Sequence, residues 1–343
     1  MKDKRMSLEI LRIISCFCVV VSHTNCFAFD NISIGQPTWW ILVLYHILSK
    51  IAVPIFFMIS GALYLKKEYS YKEMIRKTFF RLIVPLFIFS IIIYFKRTPT
   101  FTIDNSIKFI KDFLGNKILG NYWFIYALIG LYLATPFLQK MCKNMNEKDY
   151  KYFIIYTVLV IIVFPNLKHY NIISLAPEFT IPLISTYVSY YILGNYFINH
   201  KINLSKKEEI ALIVCTIFTL ILGVIMTYVD QAKLQFKEYY YGNFNTITVF
   251  LLTICIIYFI LKFFDNKEFG DKSKRLITTF SGATFGVYLS HGILLGHTKF
   301  IYIFLERNLN LFLSIVIYQI ILTVGLMSII SIIKKIPVIK NIF

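Results

Sequence analysis

The sequence predicts an all-α protein, a polytopic transmembrane bundle of about ten helices with both termini cytoplasmic. Three observations carry this expectation. Of the 343 residues, 57% are hydrophobic and only 16% charged, with a mean hydropathy of +0.67. A water-soluble domain of this size has nowhere to bury so much apolar side chain. Apolar runs suited to a bilayer recur ten times along the chain. The basic residues are also unevenly shared between alternate connections. With the N-terminus inside, cytoplasmic segments hold 24 Lys and Arg and outer segments ten, while Arg12 and Lys50 lie within spans and complete the 36.

The first span, Leu8 to Phe29, follows Lys2, Lys4 and Arg5 and lacks a small-residue cleavage site, so it is expected to be retained rather than removed as a signal. The second, Ile41 to Leu65, contains Pro54, which deletes a backbone hydrogen bond and kinks a helix. Its Ser60-Gly61 pair allows close approach of a neighbour. Six basic residues between Lys66 and Arg81 precede the third span, Leu82 to Phe95. A long, weakly amphipathic outer loop, Lys96 to Asn121, leads to the fourth, Tyr122 to Leu138. The fifth is Tyr152 to Phe164; like the third it is short for a bilayer, so both are expected to extend into their flanks. The sixth to tenth run Thr180 to Ile198, Ile210 to Tyr228, Thr246 to Leu261, Phe280 to Ile303 and Leu311 to Ile333.

The segments Asn31 to Thr38 and Asp230 to Asn245 then fall outside the cell. The second holds Phe236, Tyr239, Tyr240, Tyr241 and Phe244. Such a cluster serves either as an interfacial belt or as a surface on which sugar rings stack, and the sequence leaves both open. The formal charge of +18 sits in short clusters between apolar runs. That pattern sets topology and draws anionic lipid; it does not point to nucleic acid. The six cysteines show no metal-ligand spacing beyond the lone Cys16-Phe17-Cys18 and are expected to be small core residues, with no metal bound. There is no repeat at a fixed period. One membrane domain over residues 1–343 is expected, with no appended soluble domain.

The chemistry concentrates in the first span. At about 100° and 1.5 Å per residue, Arg12 and His23 lie within about 20° of each other on the helix and about 16 Å apart along its axis. Glu9 and Cys16 lie near the same stripe. Ionisable groups inside a membrane are costly and face a bundle interior or a cavity. This face therefore suggests a cation near one surface and a base deeper in. Arg76, Lys77 and Arg81 abut the cytoplasmic surface, either as orientation signals or as a clamp for a phosphate-bearing cofactor, a use to which the bidentate fork of Arg is suited. Trp123 opens the fourth span where an interfacial anchor belongs. In the ninth span Thr284, Tyr288 and His291 share a face; His291 serves either a site or an inter-helix hydrogen bond.

In this order the segments resemble the acyltransferase-3 family of integral membrane acyltransferases. The resemblance rests on Leu8-Glu9-Ile10-Leu11-Arg12 followed ten residues later by His23, on Phe56-Phe57-Met58-Ile59-Ser60-Gly61, and on the basic cluster ending at Arg81 with Pro85. Trp123-Phe124 and Val287-Tyr288-Leu289-Ser290-His291 continue it, so it covers essentially the whole chain. It implies ten core helices, acetyl-CoA or another acyl-CoA as cytoplasmic donor, and O-acylation of extracytoplasmic sugars at the cell membrane. His23 then matches the family's essential histidine and Arg12 its paired arginine, as catalytic residues. Arg76 and Arg81 take the donor-binding positions; Glu9, Trp123, Tyr288 and His291 complete the set as acceptor-side or supporting residues. Where relatives often carry Arg-x-x-Arg in the first cytoplasmic loop, position 78 here is Thr. Expected partners are the acyl-CoA, a glycan acceptor, membrane lipid and separate polysaccharide-biosynthesis proteins. A flippase or exporter of lipid-linked or surface polysaccharide is the alternative; it fits polar membrane residues and aromatic outer loops, but it lacks the repeated halves common in transporters.

Overall fold

The computed structural model describes residues 5–100, 102–174, 185–200, 202–232 and 243–336. Among these residues there are eleven helices and no strand. In chain order they are α1 (Met6–Phe29), α2 (Pro37–Tyr64), α3 (Tyr71–Arg97), α4 (Ile103–Leu114), α5 (Gly120–Asn144), α6 (Glu147–His169), α7 (Thr186–Asn199), α8 (Lys206–Ala232), α9 (Ile247–Phe264), α10 (Asp271–Asn308) and α11 (Leu311–Ile333). All but α4 coincide, in order, with the ten expected spans. Eight are long and apolar enough on their own to cross a membrane. Of the other two, α7 has 14 residues and starts at its cap, Ser185; residues 180–184 of the expected span lie outside the described part. The 38-residue α10 is diluted by its Ser, Thr, Gly and His residues, of which Ser281, Thr284 and His291 are buried in the polar interior.

The expected loop Lys96 to Asn121 is partly helical. Thr102 caps α4 by accepting a hydrogen bond from the Asn105 amide at 3.2 Å. Phe109 buries the apolar face of α4 against Phe87 and Tyr94 of α3, with ring centroids 5.6 and 5.2 Å away.

Prolines decide the irregular turns. Both helices expected to be short, α3 and α6, do extend into their flanks, and each widens into a π-helical stretch, Phe79–Ile83 and Thr157–Val163. Each stretch lies just before a proline, Pro85 and Pro165. A proline cannot donate to the carbonyl four residues back, here Arg81 and Ile161, so the turn opens there. In α2, Pro54 withdraws the donor from the Lys50 carbonyl in the same way. The helix accordingly breaks at Lys50 and Ile51, between Pro37–Ser49 and Ala52–Tyr64.

Contacts between helices fix their relative directions. In α1 and α10, Glu9 meets Ser281 and His23 meets His291, so the two run parallel. In α2 and α7, Phe57 meets Tyr187 and the Ala62 carbonyl accepts from Asn199, so these are parallel too. The pair α10 and α11 is antiparallel, with Thr298 against Tyr318 and Lys334 reaching the Gly282 carbonyl. Arg5 at the start of α1 pairs with Asp265 after α9 and donates to the Ile198 carbonyl of α7 at 2.6 Å. These directions are the ones ten alternating crossings require, and they set the two described ends of the chain at the same end of the bundle.

Candidate functional site

The site is the seam between α1 and α10, and it has three levels. At the level nearest the start of α1, Arg12 Nη1 donates to Glu9 Oε1 at 2.9 Å, and the other Glu9 oxygen accepts from the Ser281 hydroxyl. Glu9 is only 5% exposed. A buried carboxylate needs such partners, and the i,i+3 spacing supplies the nearer one. The Arg12 side chain is 27% exposed, so part of its guanidinium faces outward from the seam. At the middle level the Cys16 thiol points at the Thr284 carbonyl, 3.9 Å away.

At the far level the His23 and His291 rings lie 5.1 Å apart between centroids. His291 is fully buried. Its Nδ1 donates to the Tyr288 carbonyl at 2.7 Å, and a carbonyl can only accept, so Nδ1 carries the proton. Nε2 is then the acceptor and receives the Asn121 amide at 3.2 Å. Gly292 permits this contact, because a Cβ there would collide with the Asn121 amide nitrogen. Both nitrogens of His291 are thus committed and the ring is held neutral. The half-buried His23 ring, by contrast, makes no hydrogen bond among the described residues.

Other elements close in on His23. The Ser22 and Ser49 hydroxyls share a hydrogen bond of 2.9 Å, which ties the turn carrying His23 to the break in α2. Lys50 follows Ser49 directly and lies within electrostatic reach of His23. One turn earlier on α2 is the buried His46. Just past His23, Gln319 of α11 donates to Thr24 Oγ1 and Asn25 Oδ1, both at 2.8 Å, and accepts from the Tyr45 hydroxyl at 2.8 Å. This network clamps α1 just beyond His23.

The remaining expected residues take supporting positions. Tyr288 donates its hydroxyl to the Asn121 carbonyl and stacks near His291 at 5.6 Å and Phe124 at 5.3 Å, so its oxygen is already engaged. Trp123 stacks on Phe244 at 5.7 Å and on Tyr187 at 5.8 Å, an aromatic wall beside the site. Of the aromatic outer loop only Phe244 is among the described residues. Arg76 and Arg81 are exposed at the end of the bundle where Arg12 lies. Arg81 donates to the Tyr64 hydroxyl at 3.4 Å, while Thr78 turns inward and bonds the Met74 carbonyl at 2.8 Å. Arg12 and Arg81 are therefore each held by their own partner.

Sequence reasoning found the Arg12–His23 stripe and His291 but not Asn121, Gln319 or the placement of Lys50. The signal for Lys50 was available: a cation inside a span, four residues before a proline, marks a helix break with a charge at it. Asn121 and Gln319 are set by tertiary packing and left no such mark.

A family model described as an acyltransferase domain, that of acyltransferase-3, matches residues 6–333. Comparison with curated proteins and with solved structures gives no match. With nearly its whole length covered, from the first turn of α1 to the last turn of α11, the chain belongs to the acyltransferase-3 family of membrane acyltransferases.

Proposed function

We propose that this protein moves an acyl group, acetyl in the first instance, from cytoplasmic acyl-CoA to a hydroxyl of an extracytoplasmic or lipid-linked glycan. The observation that carries the reading is the α1–α10 seam. One face of one membrane helix presents a guanidinium at one end and an imidazole with uncommitted nitrogens at the other, about 16 Å apart along the axis. That span is comparable to a pantetheine arm, so a nucleotide held at the cytoplasmic end can deliver its thioester across the membrane to His23. The basic-residue bias assigns the Arg12 end to the cytoplasm.

In this reading Arg12, with Arg76 and Arg81, meets the phosphates of CoA, for which the planar fork of Arg is suited. His23 takes the proton of the acceptor hydroxyl, as a neutral imidazole can near pH 7. Glu9 orients Arg12 through its hydrogen bond. His291, Tyr288 and Asn121 form one hydrogen-bonded wall at His23, and Trp123 with Phe244 offers the acceptor an apolar face. The exporter alternative leaves membership of an acyltransferase family unexplained.

The test is a pair of substitutions at His23. Loss of a general base costs about 10²–10⁴ in rate. His23→Gln retains hydrogen bonding but cannot take a proton, so it is expected to insert, express and give acylated glycan near background, as is His23→Ala. Mass spectrometry of surface glycan from complemented deletion cells reads this out. A well-expressed His23→Gln variant with near wild-type acylation would end the assignment of His23 as base.

A further inference from the structure

The charges around His23 are unlike those of a histidine oriented by a carboxylate. His291 is neutral with both nitrogens committed. The nearest buried carboxylate on α1, Glu9, is about four turns away and paired to Arg12. The charged group that approaches His23 is a cation. Lys50 sits at the break in α2 where Pro54 stops the helix, and the Ser22–Ser49 hydrogen bond fixes that break beside the His23 turn. Among the described residues no Asp or Glu pairs with Lys50. An ammonium held inside a span is costly, and an anion arriving beside it offsets that cost.

We infer that Lys50 is a catalytic residue that receives the oxyanion formed during acyl transfer, acting with His23 as its base; the inference rests on the acyltransferase reading above. The acceptor O–H gives its proton to a His23 ring nitrogen. Its oxygen pair forms a bond to the thioester carbonyl carbon, and the carbonyl π pair moves onto oxygen, which becomes an oxyanion facing Lys50. When the C=O re-forms, the C–S bond breaks, and the departing CoA thiolate recovers the proton from His23. The charges explain the pairing. A protonated His23 beside Lys50 would put two cations together in a low-dielectric span, and the oxyanion that forms in the same step places one negative charge between them, so the net charge of the site does not change.

The experiment compares wild type, Lys50→Met, Lys50→Gln, Lys50→Arg and His23→Gln as purified full-length protein in nanodiscs. Acetyl-CoA is the donor, and glycan extracted from deletion cells is the acceptor. Removing an oxyanion-binding group costs about 10²–10³ in kcat. Lys50→Met and Lys50→Gln are expected to show that loss with an unchanged KM for acetyl-CoA, and Lys50→Arg to keep a substantial part of the rate. In a His23→Gln background Lys50→Met is expected to add little, because groups that serve one step are not additive. Wild-type kcat in either neutral variant, or a defect confined to KM, overturns the proposal. So does failure of both neutral variants to accumulate while Lys50→Arg folds with wild-type kcat, since the charge would then serve folding. If His23→Gln is inactive and Lys50→Met active, only the role of Lys50 falls; if His23→Gln is active, the underlying reading falls.

Discussion

Two helix pairs at the centre of the molecule are built by opposite means. Between α2 and α7 the backbones themselves meet: a Cβ at Gly61 would fall on the Tyr191 carbonyl, and one at Gly194 on the backbone of Met58. Between α1 and α10 the helices are bridged by polar side chains, Arg12–Glu9–Ser281 at one end and the His23–His291 pair at the other. In lipid there is little hydrophobic drive between helices, so dispersion at close range and hydrogen bonds hold them together. The first pair uses the former and acts as scaffold. The second uses the latter and leaves part of the Arg12 guanidinium and of the His23 ring exposed along the seam. The contrast predicts that the glycine pair is intolerant of added atoms, whereas substitutions in the polar seam are felt in chemistry as well as in the fold.

The largest effect on folding is therefore expected at the glycines. Gly194→Ala forces a methyl into backbone atoms, which cannot rotate away as a side chain can. Overpacking ordinarily costs about 1–3 kcal/mol, and this site belongs at the upper end or beyond. Gly61→Ala is expected to match it. Gly325→Ala is the control, because an added methyl there meets nothing within 4 Å. The fraction of monodisperse protein in detergent and its thermal unfolding are the measurements. If Gly194→Ala proves as stable as Gly325→Ala, the contrast between the two interfaces collapses.

How each pair was legible in the sequence follows the same division. Ser60-Gly61 announced a close approach, but its partner Gly194 carried no signal, since one isolated glycine in an apolar run looks like any other. The Arg12–His23 stripe came from helical geometry within one segment, and that kind of pattern survives in a sequence. Its neighbours Ser281, Asn121 and Gln319 come from three other helices, and one sequence does not say which helices touch. The spans themselves were legible because hydropathy and charge are local properties. That α3 and α6 extend into their flanks was legible from their short apolar runs, but where they end was not, because their polar turns continue as helix; the amphipathic α4 was missed because its stripe is short.

A middle-sized effect tests the polar seam at its Arg12 end. Arg12→Ala leaves Glu9 buried with only the Ser281 hydroxyl as partner. Breaking a fully buried pair costs about 3–5 kcal/mol. With Arg12 partly exposed and Ser281 still in place, about 1–3 kcal/mol is the expected range. The functional effect is of similar size: if Arg12 meets a CoA phosphate, the KM for acetyl-CoA should rise about ten- to a hundredfold, the equivalent of a charge-assisted contact of about 1.5–3 kcal/mol. Arg12→Lys should recover part of it. Glu9→Gln keeps the cation and the Ser281 contact, so it should disturb donor binding less than Arg12→Ala. Steady-state kinetics with varied acetyl-CoA decide this, and an unchanged KM in Arg12→Ala would leave the seam a structural device at that end.

The smallest effect belongs outside both interfaces. Lys143 at the end of α5 pairs with Glu68 in the connection after α2, at 2.5 Å, with both side chains mostly exposed. The two pairs look alike by distance, yet solvent and salt screen this one, and two long side chains must be ordered to make it. The hydrogen bond from Lys143, followed by its charge, holds the Glu68 carboxyl below its ordinary range. A depressed carboxyl stabilises the fold above its unfolded pKa, and that contribution disappears as the pH falls through the lower, folded value. Any pH dependence arising from this pair is therefore confined to the acid range, where its contribution is lost. At neutral pH Glu68→Gln should change neither the melting temperature nor the acylation rate measurably, even at low salt where surface pairs are strongest. A loss comparable to that of Arg12→Ala would mean that exposed ion pairs at the bundle's end hold its helices together as strongly as the buried seam does.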